Sequence, residues 1–257
     1  MNISKNKTSI IGPDQKNIKE LEDLYNSRQF NVLENKINLL LKKYSNNTTL
    51  LNILGVALDR QSKLIEALDI FKKIVKIQPN HYFAYNNMGI VLKNLCRLDE
   101  AKTCYQKSIE IKPDYIDAYF KLGGILLDFN KLDESADVFK KALKYQPLNA
   151  QLHRSLSEIV KYKEKDSHIE DMEKIIKSKN INKNQEMHLC FALGKAYEDI
   201  KSYDKAFNFW KKGNFLKKQE INYSIEDQKK LFQIIKEKFT KDLFIKFKNN
   251  QNFNESL

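Results

Sequence analysis

The chain has 257 residues, of which 42% are hydrophobic and 30% are charged. It holds no apolar run near the ~18 residues of a membrane span, and its first 19 residues lack the apolar stretch of a secretory signal. Cys96, Cys104 and Cys190 fall in predicted helices without metal-ligand spacing, so we interpret them as small apolar residues in a reducing compartment. These features predict a cytoplasmic protein that does not enter membranes.

The net charge of +12 raises the question of a nucleic-acid partner. Only four of the 45 basic residues are arginines, the residue type that reads phosphates and bases with two hydrogen bonds. Many lysines instead follow the outer side of predicted helices, as Lys72, Lys73 and Lys76 do. The composition therefore disfavours nucleic acid. RNA binding stays an alternative, which predicts strongly salt-dependent association with single strands.

The first predicted elements form an irregular start. Residues 1–13 are expected to be a flexible tail. Residues 14–47 contain two amphipathic stretches, carried by Leu21, Leu24, Leu33, Ile37 and Leu40. We interpret this segment as an atypical capping repeat, because the end of a repeat array needs a polar outer face.

Residues 48–149 contain three regular repeats, which begin at residues 48, 82 and 116. Four kinds of residue recur there at a spacing of 34. They are glycine (Gly55, Gly89, Gly123), a small residue (Ala67, Ala101, Ser135), an aromatic (Phe71, Tyr105, Phe139) and proline (Pro79, Pro113, Pro147). In each repeat the small residues mark a close crossing of two helices, the aromatic fills the space beside it, and the proline ends the second helix.

This pattern resembles the tetratricopeptide repeat, a unit of two antiparallel helices. The resemblance implies an all-α fold, a right-handed solenoid whose concave groove is lined by the first helix of each pair. Residues 150–186 are a degenerate repeat with a charged break at 161–167. The pattern returns in 187–220 with Gly194, Ala206 and Trp210.

The last predicted elements are a capping helix and a tail. Residues 221–245 carry the stripe Leu231, Ile234, Ile235 and Phe239, which is suited to covering the final repeat. Residues 246–257 are polar and are expected to be frayed.

The sequence offers no candidate for catalysis, cofactor binding or metal binding. The seven glycines build no phosphate-binding loop, and the four histidines are scattered, which favours surface or groove positions. Carboxylate pairs such as Asp99 with Glu100 lie where second helices begin, and negative charge is favourable there. We predict that this chain has no catalytic site of its own.

A second, narrower resemblance lies near the end of the chain. The segment from Leu189 to Phe207, together with Tyr223–Asp227 and Phe239–Phe244, is similar to the repeat region of bacterial tetratricopeptide-repeat sulfotransferases. That family carries a following domain that uses phosphoadenosyl-phosphosulfate. The family's Gly-Met-Pro-Arg-Ser-Gly-Thr-Thr type of donor loop does not occur up to Leu257, so no catalytic or donor-binding residue is assigned here.

The leading hypothesis is a module that binds a protein or peptide segment in its groove. The alternative is the substrate-presenting region of a truncated sulfotransferase. Asparagine amides both donate and accept hydrogen bonds, so a row of them suits an extended peptide. A carboxylate clamp is a weaker interpretation, and packing between repeats is an equal alternative for the two phenylalanines. The sequence indicates no oligomeric state. The candidate groove residues are Asn52, Asp59, Asn86, Asn87, Lys93, Phe120, Asp128, Phe191, Lys195 and Asp199.

Overall fold

The computed structural model describes residues 12–178, 180–221 and 225–239, and within these ranges it contains thirteen helices and no strand. The prediction of an all-α fold is confirmed. The predicted tails lie outside the described residues, apart from residues 12 and 13, as do residues 240–245 of the predicted capping helix.

The helices alternate as first and second members of antiparallel pairs. They are α1 (Gln15–Asn26), α2 (Phe30–Lys43), α3 (Thr48–Arg60), α4 (Leu64–Ile77), α5 (Tyr82–Asn94), α6 (Leu98–Ile111), α7 (Ile116–Asp128), α8 (Leu132–Tyr145), α9 (Ala150–Ser157), α10 (Ser167–Lys177), α11 (Lys183–Asp199), α12 (Tyr203–Ile221) and α13 (Ile225–Lys238).

The chain divides into two compact units between residues 162 and 163, inside the predicted charged break. The first unit contains α1 to α9. There each first helix packs on its own second helix, and each second helix packs on the first helix of the following pair. This unit is a solenoid of stacked helix pairs. The second unit contains α10 to α13, in which α11 and α12 make the most extensive pairing.

The repeated small and aromatic residues form the contact between the helices of each pair. Gly55 lies against the ring of Phe71, and Gly89 lies against the ring of Tyr105. All of these residues are buried. Where the third repeat has Ser135, its buried hydroxyl donates a 3.0 Å hydrogen bond to the carbonyl oxygen of Gly123 on the facing helix. The predicted phasing of the repeats therefore holds in three dimensions.

The prolines also mark a hydrogen bond between successive repeats. The hydroxyl of Tyr119 donates to the carbonyl oxygen of Pro113 at 2.9 Å. Thirty-four residues later, the Nε2 atom of His153 lies 2.8 Å from the carbonyl oxygen of Pro147. His153 is buried, which corrects its expected place at the surface or in the groove. It takes the structural position of Tyr119, so α9 begins as a regular first helix.

A further column appears in the turns between paired helices. Arg28, Ser62, Cys96 and Asn130 have φ angles of 58°, 61°, 59° and 56° and recur every 34 residues. After α3, the N–H of Lys63 donates to the carbonyl of Leu58, which closes the helix end in a Schellman motif. Cys96 is therefore an exposed turn residue and not a helical one, which corrects the sequence interpretation. Arg28 extends the same turn to the first pair.

In the second unit, Gly194 of α11 lies against the indole ring of Trp210 of α12, which repeats the contact seen in the first unit. The expected covering of this last pair by α13 is not realised. The side chains of the α13 stripe stay 42–57% exposed, because α13 packs closely on no other helix among the described residues.

Candidate functional site

Three adjoining hollows lie along the face formed by the first helices of the first unit. Their volumes are about 470, 530 and 290 Å³. Tyr25 and Asn26 line the first two, Val56 lines the first and third, and Arg60 lines the second and third. We call this surface the first-helix groove. Its other lining residues include Leu21, Glu22, Arg28, Phe30, Asn52, Ile53, Asp59, Asn87, Ile90, Val91, Asn94 and Lys121.

The wall of the groove is apolar between α1 and α3. Tyr25 comes from α1, and Ile53 and Val56 come from α3 one turn apart. All three side chains are half-buried, since they pack on the core at their base and reach the hollow at their tip. This wall offers surface that an apolar side chain of a ligand would cover.

Polar side chains join successive first helices along the same face. The Nδ2 atom of Asn87 donates to Oδ1 of Asn52 at 3.0 Å. Two helical turns further on, Nδ2 of Asn94 donates to Oδ1 of Asp59, also at 3.0 Å. Both contacts connect α3 to α5 across 35 residues of sequence. These residues therefore hold neighbouring repeats in register in addition to lining the groove.

The Asn52–Asn87 pair has donor and acceptor atoms that its internal hydrogen bond does not use. Its internal bond uses one N–H of Asn87 and the carbonyl oxygen of Asn52. Among the described residues, no bond occupies the amide nitrogen of Asn52 or the carbonyl oxygen of Asn87. The pair thus presents donors and an acceptor side by side, between the apolar wall and the third hollow.

The charge of the groove is set by cations that lack ion-pair partners in the described part of the chain. These are Arg28, Arg60 and Lys121. Lys93 differs from them, because its Nζ atom lies 2.8 Å from a carboxylate oxygen of Asp128 on α7. The groove therefore carries net positive charge, with Glu22 and Asp59 as its acidic members.

Two further predicted residues, Asn86 and Phe120, do not line these three hollows. Asn86 is only 4% exposed, although Asn52 at the same position of the preceding repeat lines the groove, and the Oδ1 atom of Asn86 has no hydrogen-bond partner among the described residues. Phe120 is half-buried, and its ring centroid lies 6.0 Å from that of Phe139 in the same helix pair. Phe120 therefore has a packing contact within its own helix pair, and Asn86 is buried.

The remaining predicted residues lie in the second unit. Lys195 and Asp199 form an ion pair at 2.6 Å one turn apart on α11, and the Asp199 side chain is 4% exposed. Phe191 is half-buried beside Gly213 of α12. Of the predicted residues of the first unit, Asn52, Asp59 and Asn87 line the described groove.

Sequence reasoning missed the apolar wall and the contribution of α1. The predicted set consists mostly of polar side chains, and it leaves Tyr25, Ile53 and Val56 out. A usable signal was present, because Ile53 and Val56 stand outside the stripe of Leu51, Leu54 and Leu58 that builds the core.

The groups with strongly shifted pKa values are buried in the stack. Burial raises the pKa of the Cys104 and Cys190 thiols to about 11, and it raises the pKa of the Tyr119 hydroxyl to about 12. These shifts keep the groups neutral and match structural roles. In the part of the chain that the structure describes, no three His, Cys, Asp or Glu side chains cluster as metal ligands would. No described helix has the length and hydropathy to span a bilayer.

The repeats are recognised by family models. Residues 82–115 and 116–147 each match a model described as tetratricopeptide repeat. Together with the helix pairs seen in the structure, these matches show that the chain contains tetratricopeptide repeats. A curated relative, an uncharacterized protein of Aquifex aeolicus (strain VF5), is 34% identical over 91 residues. The match covers 35% of this chain and 12% of that relative's length.

Solved structures show the same fold at low identity. MamA is 19% identical, with a TM-score of 0.50 over 83% of this chain and 100% of that one. YrrB is 13% identical, with a TM-score of 0.51 over 70% of this chain and 91% of that one. TTC0263 of Thermus thermophilus is 15% identical, with a TM-score of 0.50 over 77% and 97% of the two chains. At these identities the likeness concerns the fold.

Proposed function

We propose that the first-helix groove binds an extended segment of a protein or peptide. The observation that carries this proposal is the Asn52–Asn87 pair, whose remaining donors and acceptor have no partner among the described residues and lie beside the apolar wall. An extended backbone exposes both N–H and C=O groups, so such a pair can bond to it in both senses.

The wall and the charges add selectivity to this backbone recognition. An apolar ligand side chain next to Ile53 and Val56 would bury area worth roughly 25 cal/mol per Å². Arg60 and Lys121 would favour carboxylates at the far end of the groove. YrrB is described as a tetratricopeptide-repeat protein with an unusual peptide-binding site, which is compatible with this use of the fold.

A display library of random peptides tests the proposal. Peptides selected on the wild-type protein are expected to lose binding to Ile53→Asp, which places a charge on the apolar wall. Ile65→Asp on α4 is the matched control, because Ile65 is exposed and lies outside the three hollows. Peptides that bind Ile53→Asp as well as the wild type, or that lose binding only to Ile65→Asp, would contradict the proposal.

The other predicted roles stay predictions. The alternative of a substrate-presenting region in a sulfotransferase has no support from the relatives reported above, none of which is described as a sulfotransferase. The predicted absence of a cofactor, the cytoplasmic location and the disfavoured nucleic-acid partner are likewise expectations from the sequence.

A further inference from the structure

Every second helix of the regular repeats is covered by the first helix of the next pair. α5 covers α4, α7 covers α6, and α9 covers α8. This packing lowers the solvent exposure of the residue that directly follows the small residue of each second helix. Leu68, Lys102 and Ala136 hold that position in α4, α6 and α8; Leu68 and Ala136 are 2% and 5% exposed, and Lys102 is half-buried. A second helix on which no following helix packs is therefore expected to expose the residue at this position.

α12 is such a helix. Its small-residue position is Ala206, so Phe207 stands where Leu68 and Ala136 stand, and Phe207 is 63% exposed. Tyr203 and Phe215 of α12 are also exposed, at 64% and 60%, whereas Ala206 and Leu216 are buried. Phe215 holds the position of Lys76, Glu110 and Lys144, which is exposed in the regular repeats as well. The position of Phe207, which a following helix covers in the regular repeats, is thus open in the last pair.

α13 has an apolar face on which no helix packs closely among the described residues. Its apolar stripe contains Leu231, Ile234 and Ile235 on neighbouring turns, all exposed. Only residues 222–224 separate α12 from α13, yet in the described structure the two do not pack closely. One chain therefore presents both halves of the contact that the first unit makes repeatedly: a bare second helix and an amphipathic helix that covers nothing.

We infer that a second copy of this chain covers these surfaces by reciprocal exchange. The α13 of each copy lies on the α12 of the other, so Phe207 of one copy is buried by the Ile235 stripe of the other. A two-fold axis makes both contacts at once, and exchange of an identical element is a common route to such a dimer. The contact has the same chemistry as the stacking of α5 on α4.

Light scattering on the full chain, coupled to size exclusion and repeated over a wide range of concentration, tests this dimer. The wild type is expected to have twice the mass of one chain. Phe207→Lys on α12 and Ile235→Lys on α13 should each raise the dissociation constant at least about tenfold, as loss of a central apolar contact does. Leu39→Lys on α2, at a comparably exposed leucine, should leave the mass unchanged.

Mixing the two variants distinguishes exchange from other dimers. In a mixed pair both substitutions meet at one contact, and the second contact is wild type on both sides. The mixture is therefore expected to dimerise more tightly than either variant alone. Circular dichroism should show unchanged helix content in each variant, because both substituted side chains are exposed in the single chain.

Three results would overturn the inference. A wild type with the mass of one chain at every concentration would mean that α13 covers its own α12 or nothing. A dimer broken by Ile235→Lys but not by Phe207→Lys would mean that α13 pairs with itself. A mixture that associates no better than the separate variants would exclude reciprocal exchange.

Discussion

Gly55 and Phe71 are in direct contact across the crossing of α3 and α4, and the ring of Phe71 occupies the space that a Cβ atom at residue 55 would need. Such an atom would lie 2.6 Å from Cζ of the ring. The ring is fully buried, so an added methyl group would have to displace a packed aromatic side chain. The glycine column is therefore a packing requirement, because the backbone at these positions is ordinary helix.

The first prediction concerns this contact. Gly55→Ala is expected to destabilise the protein by about 1–3 kcal/mol through overpacking, although alanine is the better helix former by about 1 kcal/mol. Gly124→Ala is the matched control, since Gly124 lies in α7 with no atom within 4 Å of its added Cβ. It should be neutral or stabilising. Urea denaturation measures both, and equal midpoints for the two variants would contradict the packing argument.

A second prediction follows from the hydroxyl of Tyr105. It is buried and has no hydrogen-bond partner in the described part of the chain, in the position that Phe71 and Phe139 hold in the neighbouring repeats. Burial also raises its pKa. Tyr105→Phe is expected to stabilise the protein by about 1 kcal/mol, because it removes an unsatisfied polar group at nearly constant volume. Phe71→Tyr should do the reverse. Thermal unfolding followed by circular dichroism measures both variants. A loss of stability in Tyr105→Phe would contradict the prediction and would indicate that the hydroxyl binds a water molecule tightly.

A third prediction concerns the left-handed turn residues. Ser62 and Cys96 adopt φ angles of 61° and 59°, which cost roughly 1 kcal/mol for residues with a Cβ atom. Ser62→Gly and Cys96→Gly are therefore expected to raise the unfolding midpoint. Asn130→Gly, in the same turn of the third repeat, should gain less, since asparagine tolerates this conformation. A gain at Asn130 equal to that at Ser62 would count against the backbone explanation.

A fourth prediction concerns acid. The Nζ atom of Lys63 donates to the Glu34 carboxylate at 2.8 Å, and this hydrogen bond holds the pKa of Glu34 below its usual value. The unfolded chain then binds more protons than the folded one near the ordinary carboxyl pKa of about 4.3. The contact therefore stabilises the fold above that pH, and its contribution is lost as pH falls through the lowered pKa.

The measurement is the unfolding midpoint of Glu34→Gln as a function of pH. The variant should be less stable than the wild type at neutral pH, and the difference should shrink in acid. Glu22→Gln, at an exposed carboxylate of α1 without an ion-pair partner among the described residues, is the control. A deficit in Glu34→Gln that stays constant down to strongly acidic pH would show that charge is not its cause.

The sequence by itself determined the helix pairs, their phase and their contacts. Gly55, Ala67 and Phe71 can recur every 34 residues only if the same crossing is built each time, so periodicity carried the information. It also located the break at 161–167, because a charged stretch without small residues cannot build that crossing. The positive φ angles of Ser62 and Cys96 could not be predicted, since neither residue type is typical of a left-handed backbone.

Only the tertiary structure decided which side chains are available to a partner. Asn86 and Asn87 are adjacent and chemically identical, yet a rotation of about 100° along the helix buries the first and leaves the second at the groove. Likewise Phe207 and Leu68 hold equivalent positions in the repeat, and Leu68 is buried because α5 packs on its helix, whereas α13 does not pack closely on the helix of Phe207. The exposure of a side chain depends on neighbours that are distant in sequence. A periodic pattern does not predict on which helix a following helix packs.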